Sequence, residues 1–380
     1  MINKIRQIIK PKYETLNRIE VSQKEILDNY YLLKNKQPQA AIFPVLKSNA
    51  YGHGLRELCQ ILNGSEAPFV VVDSFPELQV TNRYFKKKTL ILGEMSDKAY
   101  SYADFKKNEF CVYTKKSLAI LAGLGRAKIH LFINSGMNRE GIKDLKKFLT
   151  ENRELLKKVE ITGFCSHLAA SEEDGDFNKR QLDKFLSDLK ILRSEGFNPK
   201  WIHLGNSAAI FTFSVPELTA FRSGLALYGY NPFPKDSGNF SKAEALKPSL
   251  RVISKVVSIQ ELEAEEIVSY NGTYQANCSE RIATIPFGYY EGLPRSLSNL
   301  AEFVWEKEGK RQYLKIAGKV CMNLCCLVAG SSKIEIGDEI EIISKNKNDK
   351  NSLENLSKLA GQIPYEILIR LQSNIHRIIN

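Results

Sequence analysis

Between residue 41 and about residue 230, short apolar runs alternate with longer amphipathic ones. The apolar runs are "AIFPVLK" (41–47), "FVVVDS" (69–74), "TLILGE" (89–94), "FCVYT" (110–114), "KIHLFIN" (128–134), "EITGFCSHL" (160–168), "WIHLGNS" (201–207) and "TAFRSGLALYG" (219–229). Each is brief and mostly unalternated, the pattern of a strand covered on both faces. Helix-length segments separate most of them. In one, "NKRQLDKFLSDLKILRSEG" (178–196), Asn178 with Gln181 reads as a capping box and Gly196 as a stop. Eight strands alternating with helices predict a (β/α)8 barrel or a doubly wound sheet.

From residue 246 the pattern changes. "SLRVISKVVSIQELEAEEIVSYNGTYQA", "ERIATIPFGYY", "YLKIAGKVCMNLCCLVAG" and "KIEIGDEIEII" are rich in Val and Ile and are punctuated by turn residues. They predict a mainly antiparallel β domain over 246–380, following a barrel over 23–245. An N-terminal strand from residues 1–22 is a candidate to join the β domain. A last helical stretch, "SLENLSKLAGQIPYEILIRL", is expected to break at Pro364.

Composition narrows the class. The 380 residues are 43% hydrophobic and 26% charged, typical of a soluble globular chain and long enough for two domains. The net charge of +11 is spread over lysine clusters without the interleaved aromatics of a nucleic-acid module, so no nucleic-acid partner is expected. Seven cysteines at unpaired spacings fit a reducing compartment, and CxxxCC at 321–326 lacks zinc-ligand pairs, so no metal is expected. With neither a secretory segment nor a long apolar run, the expected location is cytoplasmic, away from membranes.

In a barrel, the C-terminal ends of the strands face one common site. Those ends carry Lys47 and Tyr51, then Met137 and Arg139, His167, Asn206 and Ser207, and Arg222. Gly224 and Leu225 follow the eighth strand, where barrels often cradle a phosphate. A lysine can form a Schiff base, and beside a phosphate cradle it points to pyridoxal phosphate.

"VLKSNAYGHG" (45–54) closely resembles the cofactor-lysine motif of alanine racemases, fold-type III pyridoxal-phosphate enzymes. The resemblance extends over nearly the whole chain through "INSGMNREG" (133–141), "SHLAASEE" (166–173), "HLGNSAA" (203–209), "FRSGLALYG" (221–229), "IPFGYYEGLPR" (285–295), "GKVCMN" (318–323) and "IPYEIL" (363–368). It implies interconversion of L- and D-alanine, supplying D-alanine for peptidoglycan, with pyridoxal 5'-phosphate held on Lys47. Lys47 would be one acid/base and Tyr289 the second, on the opposite face of the cofactor and contributed by the other subunit of a homodimer. Tyrosine has an ordinary pKa of about 10, so its phenolate needs stabilising, for which His167 and Arg222 are candidates.

The same resemblance implies that Arg222 faces the pyridine nitrogen. A guanidinium does not readily surrender a proton there, which weakens the ring as an electron sink and limits side reactions. Tyr51, Ser207, Tyr365 and the backbone at Gly224 and Leu225 would hold the phosphate, with Asn206 and His167 also in the cofactor site. Arg139 and the backbone of Met322 would receive the substrate carboxylate. His53 and His203 read as supporting residues, and His130 carries no functional signal.

The chain also departs from the family. Many members place a lysine, often carbamylated, where Phe132 stands, so Asn134, Asn138 or a bound anion would have to orient Arg139. The usual acid after Cys-Met is Asn323, and the usual Ala-Asp after the tyrosine is Tyr290-Glu291. A racemase of another small amino acid, a related decarboxylase and a pyridoxal-phosphate-binding regulatory protein are the competing readings.

Overall fold

The computed structural model describes residues 15–173 and 175–380. A first strand, β1 (Arg18–Val21), precedes a helix, Gln23–Lys36. The eight apolar runs then become β2 (Ala41–Pro44), β3 (Phe69–Val72), β4 (Lys88–Ile91), β5 (Asn108–Val112), β6 (Lys128–Phe132), β7 (Glu160–Cys165), β8 (Trp201–His203) and β9 (Ala220–Ser223). Strands β3 to β8 form a parallel sheet in chain order, and β9 returns to pair in parallel with β2. Leu46 N donates to Val71 O at 2.7 Å and Thr219 N to Ile202 O at 2.9 Å, joining β2 to β3 and β9 to β8. This closure makes the (β/α)8 barrel rather than the doubly wound sheet.

Alternate residues of each strand point inward. Phe43, Phe69, Val71, Leu90, Cys111, Phe132, Cys165 and Ala220 form one buried cluster, with Trp201 packed against it. The same alternation places Lys88, Glu109, His130, His203 and Arg222 on the inward faces of β4, β5, β6, β8 and β9. A barrel interior with this many polar groups requires each to find a partner.

One helix boundary differs from the sequence pattern. The helix after β7 spans Asp176–Ser194, so Asn178 and Gln181 lie inside it and do not cap it. Asn178 Nδ2 donates to the carbonyls of Ala170 and Glu173, both at 2.8 Å. Gln181 accepts from Ala169 N at 2.9 Å and donates to His167 O at 3.0 Å. The pair ties the loop carrying His167 to the helix, a tertiary role that local spacing alone mimics as a cap.

Residues 15–21 with Leu250–Ile378 form one compact unit, and Ser22–Ser249 with the last two residues form another. The first unit contains β10 (Leu250–Lys255), β11 (Ser258–Leu262), β12 (Ile267–Val268), β13 (Tyr274–Gln275), β14 (Glu280–Ile285), β15 (Glu302–Lys307), β16 (Lys310–Lys315), β17 (Cys325–Val328), β18 (Glu339–Ile343) and all but the last residue of β19 (His376–Ile379). They form a six-stranded sheet in the order β16-β15-β18-β10-β1-β19, a three-stranded sheet β11-β14-β17 and a pair β12-β13. Strand β1 pairs antiparallel with β10; the remainder of the expected N-terminal segment, residues 1–14, lies outside the described residues. The C-terminal helical stretch ends at Ala360, where Gly361 adopts φ 65°, and restarts at Pro364. Proline therefore opens the second helix, where its missing N–H costs nothing.

Candidate active site

Lys47 follows β2 and starts an unusual turn. Ser48, Asn49, Ala50 and Tyr51 have φ between 52° and 55°, a left-handed turn built from four residues that all carry a Cβ. Each costs roughly 1 kcal/mol or more relative to the right-handed form. Glu77 stabilises the turn by accepting from Ser48 N at 2.6 Å, and Asn49 Oδ1 accepts from Leu55 N at 2.8 Å. Ser48→Gly, at an exposed position, is expected to raise the unfolding free energy by about 1 kcal/mol. Urea denaturation measures this, and an unchanged or lower midpoint counts against stored strain.

Beyond β8 and the neighbouring β9, Ser207 Oγ accepts from Gly224 N at 3.1 Å and Ala226 N at 3.2 Å. A Cβ on Gly224 would stand 2.5 Å from Tyr51 Oη, so glycine is what lets the tyrosine hydroxyl close over these amides. Two converging N–H groups, a serine hydroxyl and a phenol make a cradle suited to a phosphate group. The sequence predicts the Leu225 amide as the second donor, and the amide of Ala226 is a further one directed at Ser207. Asn206 accepts from Ser171 Oγ at 2.8 Å and Ala208 N at 3.2 Å, fixing the loop that presents Ser207. His53 is buried, its ring 4.3 Å from that of Tyr228.

Arg222 is buried, and among the described residues its hydrogen-bond partners include no carboxylate. Nη1 donates to His203 Nδ1 at 2.5 Å and His203 O at 2.9 Å. Nη2 donates to Ser166 O at 2.6 Å, His167 Nδ1 at 3.1 Å and Leu204 O at 3.3 Å. Burial, then the positive charges of Arg222, Arg139 and Lys47, push the His167 pKa down to about 3. Lys47, Arg139 and Arg222 therefore act on one neutral imidazole, and the surplus of positive charge suits an anionic ligand. The residues present fit pyridoxal 5'-phosphate: an amine, an anion cradle and a cation held by neutral acceptors.

The depressed His167 pKa carries a stability consequence. Between pH 6.5 and about 3 the unfolded chain binds a proton that native His167 does not. Stability therefore falls as pH falls through this window, by up to about 1.4 kcal/mol per pH unit for this group. His130 and His203, also lowered by burial, act in the same direction. Thermal unfolding at about pH 7 and about pH 5 checks this, and equal midpoints would contradict it.

Neither Asn134 nor Asn138 orients Arg139. Among the described residues its side chain bonds Glu140, through Nε at 2.5 Å and Nη2 at 2.6 Å. Asn134 and Asn138 instead bond each other at 3.0 Å and hold the loop. Phe132 packs into the barrel interior beside Tyr113, their ring centroids 6.0 Å apart.

Tyr289, Met322 and Tyr365 belong to the C-terminal unit. Tyr289 N donates to Cys321 O at 3.0 Å and Tyr290 N to Met322 O at 2.8 Å, so the tyrosine loop and the Cys-Met-Asn loop are clamped together. A Cβ at Gly288 would lie 2.3 Å from Cys321 O, which makes glycine a condition of this approach. Tyr289 and Met322 are both exposed, and Tyr289 borders a cavity of about 440 Å3 with Tyr270, Arg295 and Arg370. Two of the three family departures meet here: Asn323 Nδ2 donates to Glu291 Oε1 at 3.0 Å, while Glu291 Oε2 accepts from Gly288 N at 2.8 Å. Tyr365 lies in the first turn of the helix Pro364–Arg370.

Barrel, strand-end lysine, anion cradle and antiparallel C-terminal domain define a two-domain protein of the racemase class. The chain belongs to the alanine racemase family: the N-terminal domain model of that family matches residues 21–232 and the C-terminal domain model residues 249–379. An alanine racemase of Borreliella burgdorferi (strain ZS7) is 31% identical over 355 residues, covering 90% of this chain and 91% of the relative. Among solved structures, alanine racemase of Clostridium difficile 630 is 25% identical with a TM-score of 0.87, covering 97% of each chain. Alanine racemase of Bacillus anthracis with bound L-Ala-P is 26% identical with a TM-score of 0.87, covering 97% of this chain and 96% of that one.

Proposed function

We propose that the chain is a pyridoxal 5'-phosphate-dependent alanine racemase, acting as a homodimer whose sites are shared between subunits. In this reading residues 23–245 bind the cofactor, and residues 246–380 contribute Tyr289, Met322 and Tyr365. The observation that carries it is a lysine at the end of β2 together with buried Arg222 bonded to His167, beside the cradle of Tyr51, Ser207 and Gly224. When bound, the cofactor supplies the electron-withdrawing system that acidifies the Cα–H of an amino acid.

Lys47 Nζ would hold the cofactor until the substrate amine displaces it, and the freed amine would then exchange a proton with Cα on one face. Tyr289 Oη exchanges a proton on the other face, so removal on one side and return on the other inverts the centre. Arg222 keeps both Nη groups on protein acceptors, so its Nε–H would be the donor available to the cofactor ring, and as a guanidinium it would accept no proton from it. His167 is held neutral and cannot serve as a cationic acid at physiological pH. Arg139, exposed and paired with Glu140, and the backbone N–H of Met322 would receive the substrate carboxylate. The product D-alanine would supply peptidoglycan synthesis.

The test is the rate of appearance of the opposite enantiomer from each of several small L-amino acids, with alanine among them. Alanine is expected to turn over fastest. Preference for a different amino acid would replace the substrate assignment, and no turnover of any would remove the activity.

A further inference from the structure

A continuous polar chain runs through the barrel interior from Arg222 toward the opposite strand ends. His203 Nε2 lies 2.7 Å from His130 Nδ1, and His130 Nε2 lies 3.0 Å from Glu109 Oε2. Glu109 also accepts from Thr162 Oγ1 at 2.6 Å on Oε2 and from Lys88 Nζ at 2.7 Å on Oε1. Glu109, His130 and His203 are each no more than 1% exposed, whereas the Lys88 side chain is 39% exposed. The path is sterically prepared: His130 is in register with Gly163 of β7, where a Cβ would stand 2.2 Å from the imidazole ring. Phe43 and Phe69 flank the two imidazoles, with centroids 5.6 Å and 6.0 Å away.

The donor and acceptor chemistry allows one arrangement. Arginine only donates, so His203 Nδ1 must accept and His203 Nε2 must carry the hydrogen. That hydrogen points at His130 Nδ1, which must accept in turn. His130 Nε2 then carries its hydrogen and needs an acceptor, which Glu109 provides. A second proton on either ring would place two donors face to face. Burial lowers both imidazole pKa values, in keeping with two neutral rings. Glu109 is ionised: burial alone would raise its pKa, but the hydrogen bonds it accepts from His130, Lys88 and Thr162 lower it.

We propose that Glu109 is a positioning residue: through His130 and His203 it fixes the tautomer that gives Arg222 an acceptor, and so holds the guanidinium at the cofactor site. The inference rests on the reading that Arg222 faces the cofactor. Without an acceptor at position 109, His130 gains by turning its hydrogen toward His203. His203 would then present N–H to Arg222, and the two donors would push the guanidinium away.

Only five histidines are present, so 15N-histidine labelling of the full chain resolves individual rings. With and without pyridoxal 5'-phosphate, His130 and His203 are expected as Nε2–H tautomers from about pH 5 to about pH 9. An Nδ1–H or doubly protonated form of His203 in the wild type overturns the proposal. Glu109→Leu is expected to abolish the single His203 tautomer and lower kcat about tenfold, with KM changed by less than about twofold. Glu109→Gln, whose amide oxygen can still accept from His130, is expected to keep the wild-type tautomer and stay within about threefold in kcat. A Glu109→Leu variant with unaltered tautomer and kcat overturns the proposal, as does a Glu109→Gln variant whose His203 tautomer reverses. Should Glu109→Leu not fold, the wild-type and Glu109→Gln spectra still decide. Absence of racemisation in the wild type would count against the functional reading alone, because the tautomers are read without substrate.

Discussion

The Lys47→Ala variant is expected to lose racemisation in both directions by about 10^4-fold, the range for removing a residue that anchors the reacting group and moves its proton. The expectation follows from the backbone as much as from the amine. Four consecutive left-handed residues after Lys47 would not persist unless the surrounding fold imposed them, and they bring Tyr51 back over Gly224. Lys47 and the cradle are thus held by one strained turn. The cradle should still bind the cofactor non-covalently in the variant. Borohydride reduction followed by mass spectrometry should therefore find cofactor mass on the wild type and none on Lys47→Ala. Covalent attachment in the variant, or activity within about tenfold of wild type, would reassign the anchoring lysine.

The Tyr289→Phe variant is expected to lose inversion by about 10^3-fold while retaining one half-reaction. Removing the hydroxyl leaves the ring in place, and the loop is held by main-chain bonds from Tyr289 and Tyr290 to Cys321 and Met322. The change should therefore be chemical rather than conformational. With Lys47 intact, one alanine enantiomer should still exchange its Cα hydrogen for deuterium from solvent, and the product should keep its configuration. Equal loss of exchange from both enantiomers would argue that a single base serves both faces. Inversion at the wild-type rate would remove Tyr289 from the chemistry.

Much of the barrel was legible because its strands are covered on both faces. A run such as "FVVVDS" has no other economical fate, and β3 is buried at all four positions. Lys47 was legible for the complementary reason: an amine at the end of such a run is costly unless a ligand or partner receives it. Gly224 and Gly288 were visible as letters, but their necessity lies in contacts with Tyr51 and Cys321 that no local pattern encodes. The Asn178 and Gln181 spacing imitated a cap because short-range geometry is shared by caps and by loop anchors.

Sequence alone determined the alternation of elements, the change of texture after residue 246 and the identity of the groups at the strand ends. Tertiary structure alone decided which buried polar groups meet. His130 and His203 are 73 residues apart, and His130 and Glu109 are 21 apart, yet they share one hydrogen-bonded path. Glu140 rather than an asparagine holds Arg139, and Asn323 pairs with Glu291 across 32 residues. Hydrophobic periodicity reports which face of a strand turns inward. Closing the sheet into a barrel sets which inward faces confront one another, and in a low-dielectric interior each polar group must then bond whatever stands opposite.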